Sequence, residues 1–267
     1  MSVRDWVEDR QVRGRPMFGF SELLADFKGE SRQQILNALY LLRQKGILFS
    51  PYRAFYVILP PQYRLIGSVP PSYYIDYLMK LLGKRYYFGL LSAAKFHGAA
   101  HQRPMVDVVM TERPKLTAPK TESRLVRFVY RQDIPNEFLL EKNGEGGIVR
   151  YSNAELTAVE LVQYEQHAAG LSHVATVLEE LLEVTNFAHA SDGVFKVCKD
   201  SAIQRLGYLV EREIGDEHQG EVIYHEWVRA CKAPHFVPLA LQSGASTIRR
   251  DERWKVDVNV KIERDEL

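Results

Sequence analysis

Polar side chains between residues 31 and 40 have the chemistry needed to recognise DNA. Gln33, Asn37 and Tyr40 recur at helical spacing, which places them on one face of a predicted helix. The amide groups of Gln and Asn can form two hydrogen bonds with the edge of an adenine in the major groove. Arg32, near the helix start, can contact guanine or phosphate. The predicted DNA contacts are Ser31, Arg32, Gln33, Gln34, Asn37 and Tyr40, and, from the hairpin that follows, Tyr52 and Arg53.

Helices and a hairpin must position these side chains. The predicted elements are a helix over residues 3–13, a helix from a capping Ser21 to Phe27, a helix capped by Ser31 that ends near Lys45, and strands at 47–50 and 54–59. Ile35, Ala38, Leu39 and Leu42 form the apolar stripe of the third helix. This order predicts a winged helix-turn-helix, in which one helix enters the major groove and the hairpin reaches the backbone or the minor groove.

The charge distribution favours a polyanionic partner for the first half of the chain. The 267 residues carry a net charge of +1, with 35 Lys and Arg against 34 Asp and Glu. Residues 1–135 hold 21 of the basic and 11 of the acidic residues, a net of +10, whereas residues 136–267 have a net of −9. Such an asymmetry suggests nucleic acid near the basic half.

A proline-rich segment, 60–71, predicts a domain boundary. We expect an α+β protein, with a winged helix-turn-helix over 1–65 and a larger mixed α/β domain over 66–267 that has a basic first part. A helix is predicted at 72–82, another at about 88–97, and β-rich runs at 106–111 and 124–131. The basic side chains predicted to contact phosphate in this part are Lys84, Arg85, Arg113, Lys115, Lys120 and Arg127.

Four motifs resemble those of AbiEi-family antitoxins, which belong to type IV toxin–antitoxin systems. They read YYFGLLSAAKFHGAAHQ at 86–102, SNAELTAVELV at 152–162, AIQRLGYLVE at 202–211 and ERWKVDVNVKIE at 252–263. The motifs occur in the family's order and, with the N-terminal helices, span nearly the whole chain. The resemblance implies a protein that represses its own operon through inverted repeats in the promoter. It also implies antagonism of a nucleotidyltransferase-like toxin without a stable direct complex.

The motifs themselves look structural rather than catalytic. Ile203, Leu206 and Val210 form the inner face of a helix, and Gly207 suits the close approach of another backbone. Arg205 fits either a buried ion pair or an exposed contact. Alternation over residues 254–262 predicts a strand with one buried face, whose polar face meets solvent or forms a sheet edge. The segment Gly144-Glu145-Gly146-Gly147 predicts a hairpin turn or loop. A helix is predicted to start at Gly170-Leu171.

Two histidines, two cysteines and several acidic residues are the other candidates for chemistry. His97 and His101 have the spacing of metal ligands, but no acidic third ligand accompanies them, so no metal or cofactor is expected. Cys198 and Cys231 fit buried thiols, and two cysteines cannot form a disulfide framework. The acidic stretch 215–221 is expected to be an exposed loop, and glutamates of the acidic half such as Glu160 are expected to be solvated.

Two alternatives to the repressor and antitoxin remain open. A metal-dependent nuclease or other phosphodiester enzyme would use Asp257, Lys261 and Glu263, with Asp107 on a second strand. A protein-sequestering interaction module is the other alternative. No phosphate-binding loop or nucleophile elbow is present in the sequence, and we expect no catalytic residues.

The polar N-terminus and the lack of a long apolar run predict a cytoplasmic protein without membrane contact.

Overall fold

The structure of the protein, a computed structural model, describes residues 1–99, 105–116, 125–231, 233–241 and 246–263. Helices and strands both occur along the whole chain, which confirms the predicted α+β class. The helices are α1 (Val3–Val12), α2 (Phe20–Asp26), α3 (Arg32–Gln44), α4 (Pro71–Leu81), α5 (Leu90–Phe96), α6 (Ala154–Gln163), α7 (Leu171–Leu181), α8 (Asp200–Tyr208) and α9 (Glu217–Ala230), and a π-helical segment (Leu209–Ile214) continues α8. The strands are β1 (Met17–Gly19), β2 (Leu48–Tyr52), β3 (Phe55–Ile58), β4 (Tyr86–Phe88), β5 (Asp107–Thr111), β6 (Val126–Tyr130), β7 (Leu139–Gly144), β8 (Gly147–Ser152), β9 (Val237–Pro238), β10 (Arg249–Asp251) and β11 (Val256–Val258).

The N-terminal helices and hairpin agree with the sequence prediction except around α2. This helix begins at Phe20 after Gly19, so the prediction that Ser21 caps it is wrong. The strand β1 precedes it and pairs antiparallel with β3, which also pairs with β2, so the sheet order is β1-β3-β2. The three residues of β1 are all buried. A run of only three residues without alternation of buried and exposed positions gives no period-two signal, which explains why the sequence did not reveal it.

An aromatic and aliphatic core holds α1 and α3 against this sheet. Trp6 meets Phe18 edge to face with ring centroids 5.0 Å apart, and its Nε1 donates a hydrogen bond to Asp26 at 2.8 Å. Ile35, Leu39 and Leu42 of α3 are buried in the same cluster, and Ala38 packs against it partly buried. The predicted stripe is confirmed. Burial of each large aliphatic side chain contributes about 2 kcal/mol.

A five-stranded sheet has the order β6-β5-β4-β8-β7. β4 and β8 are parallel, with Phe88 opposite Tyr151. The prediction of a helix from residue 88 is wrong at its start, because Tyr86–Phe88 is a strand and α5 begins only at Leu90. The three aromatic residues of β4 are all buried, so this strand too lacks alternation. The glycine-rich turn predicted between residues 144 and 147 is confirmed as the connection of β7 and β8.

The acidic half is largely helical, with α6 packed on α7 and α8, and α8 packed on α9. The predicted start of α7 after Gly170 is confirmed. The exposed loop predicted over 215–221 is wrong, because Asp216 caps α9 by accepting a hydrogen bond from the backbone of Gln219 at 2.9 Å. The expectation that Glu160 is solvated is also wrong. Its side chain is fully buried and accepts a hydrogen bond from the Tyr87 hydroxyl at 2.5 Å.

The strand predicted near the C-terminus is shorter and more central than expected. It covers only Val256–Val258, and it lies in the middle of a sheet of order β10-β11-β9 rather than at an edge. Lys255 has a φ of +51°, and this left-handed conformation ends the extended backbone before the strand. Gly207 does meet a close neighbour, but the neighbour is the indole ring of Trp254 rather than the predicted backbone.

The described residues form two compact units. The first comprises Met1–Tyr86, Thr111–Ile134 and Glu141–Val149, and the second comprises Tyr87–Met110, Pro135–Leu140 and Arg150–Leu267. In the first unit, α4 packs on the N-terminal elements, since Phe55 contacts the rings of Tyr74 and Tyr77. The predicted boundary at residue 65 therefore lies within the first compact unit, and a division of function there stays a prediction.

Candidate nucleic-acid interface

The start of α3 is fixed by a reciprocal cap. Ser31 Oγ accepts a hydrogen bond from the backbone of Gln34 at 3.2 Å, and Gln34 Oε1 accepts one from the backbone of Ser31 at 3.0 Å. Both residues were predicted to contact DNA, and the structure engages these side-chain oxygens in the cap. The cap orders the first turn, where backbone N–H groups give a helix its positive end. Ser31 and Gln34 thus order the start of α3, and a direct contact of either residue with DNA stays a prediction.

The predicted reading face of α3 is on the surface of the first unit. Gln33, Asn37 and Tyr40 are all exposed, with Tyr40 58% exposed. Gln33 Nε2 donates a hydrogen bond to Asn37 Oδ1 at 3.0 Å, so the two amides form one connected group. Arg32 is exposed at the helix start, with its guanidinium carbon 5.3 Å from the ring centroid of Phe20. All four residues are exposed on α3: Gln33, Asn37 and Tyr40 share one face, and Arg32 flanks that face at the helix start.

The hairpin presents Arg53 at its tip. Ser50 Oγ lies within hydrogen-bond distance of two backbone oxygens that it can donate to, 3.2 Å from Tyr52 O and 2.9 Å from Phe55 O. Ala54 adopts a left-handed φ of +57°, which lets the chain reverse within the two-residue turn. Tyr52 is half-buried and Arg53 is exposed. The predicted wing residue Arg53 is thus free to meet a ligand, whereas Tyr52 partly packs on the protein.

Sequence reasoning passed over one further basic residue on this helix. Arg43 is exposed and follows Tyr40 by three residues, so the two lie on neighbouring turns of α3. The same helical spacing that grouped Gln33, Asn37 and Tyr40 could have identified it. A cation in the last turn also interacts favourably with the helix dipole.

The basic residues predicted to contact phosphate in this segment differ in their exposure and in whether an acidic side chain already pairs with them. Arg113, Lys115 and Arg127 are exposed in the first unit, Lys84 is half-buried, and Lys120 lies outside the described residues. Arg85 pairs with Glu112 at 2.9 Å, and its backbone N–H donates to the same carboxylate at 3.1 Å. The hydrogen bonds from the Arg85 side chain and backbone lower the pKa of Glu112. The positive charge of Arg85 is therefore largely compensated within the protein.

The second unit contains a buried ion pair within the AIQRLGYLVE motif. The Arg205 guanidinium is buried, pairs with Glu165, and donates hydrogen bonds to the backbone oxygens of Val162 at 3.1 Å and Leu239 at 2.6 Å. Burial lowers the pKa of Arg205. Of the two roles left open by the sequence, the structure assigns the buried ion pair. This motif residue therefore stabilises the second unit rather than contacting a ligand.

The residues considered for metal or thiol chemistry have structural surroundings. His97 Nε2 donates a hydrogen bond to the backbone oxygen of Ser152 at 2.8 Å, and His101 lies outside the described residues. Within the described part of the chain, no three His, Cys, Asp or Glu residues come together in a group that could hold a metal ion. Cys198 and Cys231 are half-buried, less buried than predicted.

The carboxylates of the nuclease alternative are held by neighbouring side chains. Asp107 Oδ1 accepts a hydrogen bond from Ser92 Oγ at 3.1 Å, in the protein interior. Asp257 Oδ1 accepts one from Arg250 at 2.8 Å, and Lys261 lies 3.6 Å from Glu263 in an exposed pair.

The described helices include none that is both long and apolar enough to span a bilayer.

Comparison with known proteins agrees with the motifs. The crystal structure of the RV2827C protein from Mycobacterium tuberculosis has a TM-score of 0.66 and 15% sequence identity, covering 94% of this chain and 90% of that chain, a likeness that concerns the fold alone. No curated protein matches the sequence. Residues 87–212 match the family described as the AbiEi antitoxin C-terminal domain. The resemblance to AbiEi-family antitoxins that the motifs predict is therefore confirmed over residues 87–212.

Proposed function

We propose that the protein is the antitoxin of a type IV toxin–antitoxin system and that it represses its own operon. In this proposal residues 1–65 form a winged helix-turn-helix that binds inverted repeats in the promoter. Two copies on the two halves of a repeat reach a specificity that one small domain cannot supply. The order α1, α2, α3 and the β2–β3 hairpin supports this assignment.

The observation that carries the DNA-binding proposal is the exposed polar face of α3. Gln33, Asn37 and Arg32 combine amide and guanidinium groups on a helix whose opposite face is buried. The major groove of B-DNA admits such a helix, and these groups match the edges of adenine and guanine. Arg53 at the hairpin tip supplies a contact to the backbone or the minor groove.

The second domain, in this proposal, opposes a nucleotidyltransferase-like toxin without forming a stable complex with it. The AbiEi match over residues 87–212 supports the antitoxin role of this domain. We propose no catalytic residue and no cofactor, and we place the protein in the cytoplasm. Protection of cells from the toxin thus depends on residues 66–267, and promoter binding on residues 1–65.

A gel shift on the duplex upstream of the gene, at low and moderate salt, tests promoter binding. The double variant Arg32→Ala/Arg53→Ala should bind at least about tenfold more weakly than the unmodified protein. The matched control is Arg4→Ala/Arg13→Ala, which removes two exposed arginines that are already paired with Glu8 and Asp9 on α1. Equal binding by the unmodified protein and Arg32→Ala/Arg53→Ala would refute the proposed surface.

Growth of cells that express the neighbouring toxin tests the antitoxin role separately. Both the full chain and Arg32→Ala/Arg53→Ala should restore growth, because the substituted residues belong to the proposed operator-binding surface. Co-purification of toxin and antitoxin as a stable complex would contradict the type IV assignment and support the sequestering alternative instead. Failure of the full chain to restore growth would contradict the antitoxin role.

A further inference from the structure

We infer that Asn37 recognises one adenine in each half of the operator and that Gln33 positions the Asn37 amide for this contact. The inference rests on the proposed DNA-binding function and specifies which base pair α3 reads. Asn37 is then the base-contacting residue, and Gln33 acts through it as a positioning residue. The feature that carries the inference is the hydrogen bond between the two amides.

The amide–amide hydrogen bond restrains the Asn37 side chain and leaves one of its edges facing outward. Gln33 Nε2 donates to Asn37 Oδ1 at 3.0 Å, across one turn of α3. An amide oxygen accepts two hydrogen bonds, so Oδ1 keeps one acceptor position, and Nδ2 carries two donor hydrogens. Rotation of the Asn37 amide alone by half a turn would bring Nδ2 against Nε2, two donors facing each other, so the Asn37 amide turns only if the Gln33 amide turns with it. Gln33 therefore couples the orientation of the Asn37 amide to its own.

The orientation in the structure, with Gln33 Nε2 donating to Asn37 Oδ1, matches adenine. In the major groove adenine offers an acceptor at N7 and a donor at N6, side by side. Asn37 Nδ2 donates to N7 while Oδ1 accepts from N6, and Oδ1 retains its bond from Gln33. Guanine has acceptors at both N7 and O6, so it would leave Oδ1 facing another acceptor. The oriented amide thus discriminates between the two purines.

The rest of the helix supports this placement. The Ser31 cap orders the turn that carries Gln33, and Arg32 beside the helix start is suited to an adjacent phosphate. Ile35 and Leu39 hold the apolar side of α3 in the core. This packing fixes the rotation of the helix about its axis, so that Asn37 lies on the surface. Both amide side chains are exposed, so a base can approach them without rearrangement of the fold.

Selection from a pool of random duplexes, followed by a single atomic substitution in the selected DNA, tests the inference. The full-length protein should select a sequence with an invariant adenine in each half-site. Replacing that adenine by 7-deazaadenine, which lacks N7, should weaken binding by about 5- to 150-fold. With Asn37→Ala the same replacement should change binding little, because the N7 contact is already absent.

Variants of Gln33 separate positioning from simple helix stabilisation. Gln33→Ala should reduce the 7-deazaadenine penalty at the same position, whereas Gln33→Lys, which still donates a hydrogen bond to Oδ1, should retain most of it. A merely structural role would lower affinity for all sequences and leave that penalty unchanged. The control Gln44→Ala removes another exposed amide from α3 and should keep the full penalty. Circular dichroism verifies that each variant folds.

The outcomes distinguish the inference from the function on which it rests. If the unmodified protein selects no sequence and binds no duplex, both the proposed function and the inference fail. If it selects a sequence but Asn37→Ala selects the same bases, DNA binding stands and the inference is overturned. An unchanged 7-deazaadenine penalty in Gln33→Ala would overturn the positioning role. Loss of one adenine preference in Asn37→Ala supports the contact.

Discussion

Gly207 of α8 lies directly against the indole ring of Trp254. A Cβ atom added to Gly207 would come within 2.0 Å of Trp254 Cζ3, far inside van der Waals contact. The ring cannot easily move, because it is fully buried and its Nε1 donates a hydrogen bond to Glu211 at 2.7 Å. Two of the AbiEi-like motifs, 202–211 and 252–263, thus meet at this contact.

Replacing Gly207 by Ala should destabilise the protein. In a helix this change alone would contribute about 0.5–1 kcal/mol of stability, but overpacking against a rigid ring costs about 1–3 kcal/mol. We therefore expect a lower free energy of unfolding, measured by urea denaturation. In a Trp254→Phe background, where the ring is smaller, the same change should cost less. Equal costs in both backgrounds would show that the indole is not the obstacle.

Regular helical spacing made α3 predictable from sequence, including its buried face and its cap. Ile35 and Leu39 repeat with the helical period, and Ser31 is a preferred capping residue. Strands β1 and β4 were not predicted, because each has only three residues, all of them buried, and shows no alternation. Local periodicity carries information about one exposed and one buried face, and a three-residue strand with both faces covered is too short to be identified by other means.

Contacts between residues that are far apart in the chain could not be predicted from the sequence. Arg205 and Glu165 are separated by 40 positions, and nothing in the spacing of either residue pairs them. The residues of the candidate interface were easier to group, since they are neighbours on one helix and one hairpin. Its internal bonding was not predicted: Gln34 engages the cap, and Gln33 binds Asn37. Side-chain hydrogen bonds depend on rotamers that a residue pattern does not specify.

The stability of the protein should fall as the pH rises above 10 because of Tyr208. Burial, with a smaller effect of its hydrogen bond to Glu213, raises the pKa of Tyr208 to about 12. In the unfolded chain the phenol ionises near pH 10. A raised pKa contributes stability in full below pH 10, and this contribution is lost as the pH rises from 10 to 12. The total loss is at most about 3 kcal/mol.

Tyr208→Phe isolates this effect. The variant lacks the ionising group, so its free energy of unfolding should decline less between pH 9 and pH 11 than that of the unmodified protein. Urea denaturation at the two pH values measures the difference. The variant also loses the hydrogen bond that Tyr208 donates to Glu213 at 2.7 Å, so its stability at pH 9 should be lower. Parallel declines in both proteins would contradict the raised pKa.

Salt dependence should distinguish the basic residues of the first unit. If Lys115 contacts a phosphate, Lys115→Ala should reduce the slope of log binding constant against log salt by about 1. Arg85→Ala should reduce it less, because Glu112 already compensates the Arg85 charge at 2.9 Å. Glu112→Gln should increase the slope, since it releases Arg85. Gel shifts over a salt series give all three values.

A control for these slopes comes from the acidic half. Lys261 has a side chain that is 82% exposed, so Lys261→Ala removes an equivalent surface charge far along the sequence from the predicted interface. Its slope should equal that of the unmodified protein. A reduction in Lys261→Ala as large as in Lys115→Ala would mean that net charge, rather than local contact, governs binding.

The N-cap of α3 offers a way to separate helix stability from anion binding. Ser31→Ala removes the acceptor for the backbone of Gln34 and should cost about 1 kcal/mol of stability. Ser31→Asp keeps a good cap and favours the helix dipole, so stability should be retained. Its carboxylate, however, would occupy the helix end proposed to face phosphate. DNA affinity should therefore fall by about tenfold or more, measured by gel shift.

The N-cap of α1, which is also in the first unit, supplies the matched control. Ser2 caps α1 in the same way, with its Oγ accepting a hydrogen bond from the backbone of Asp5 at 3.2 Å. Ser2→Asp adds the same charge at an equivalent cap that lies outside the predicted DNA contacts. It should leave DNA affinity within about twofold of the unmodified protein, because salt screens an exposed charge that makes no direct contact with DNA. If Ser31→Asp and Ser2→Asp bind DNA equally, the start of α3 does not face a phosphate.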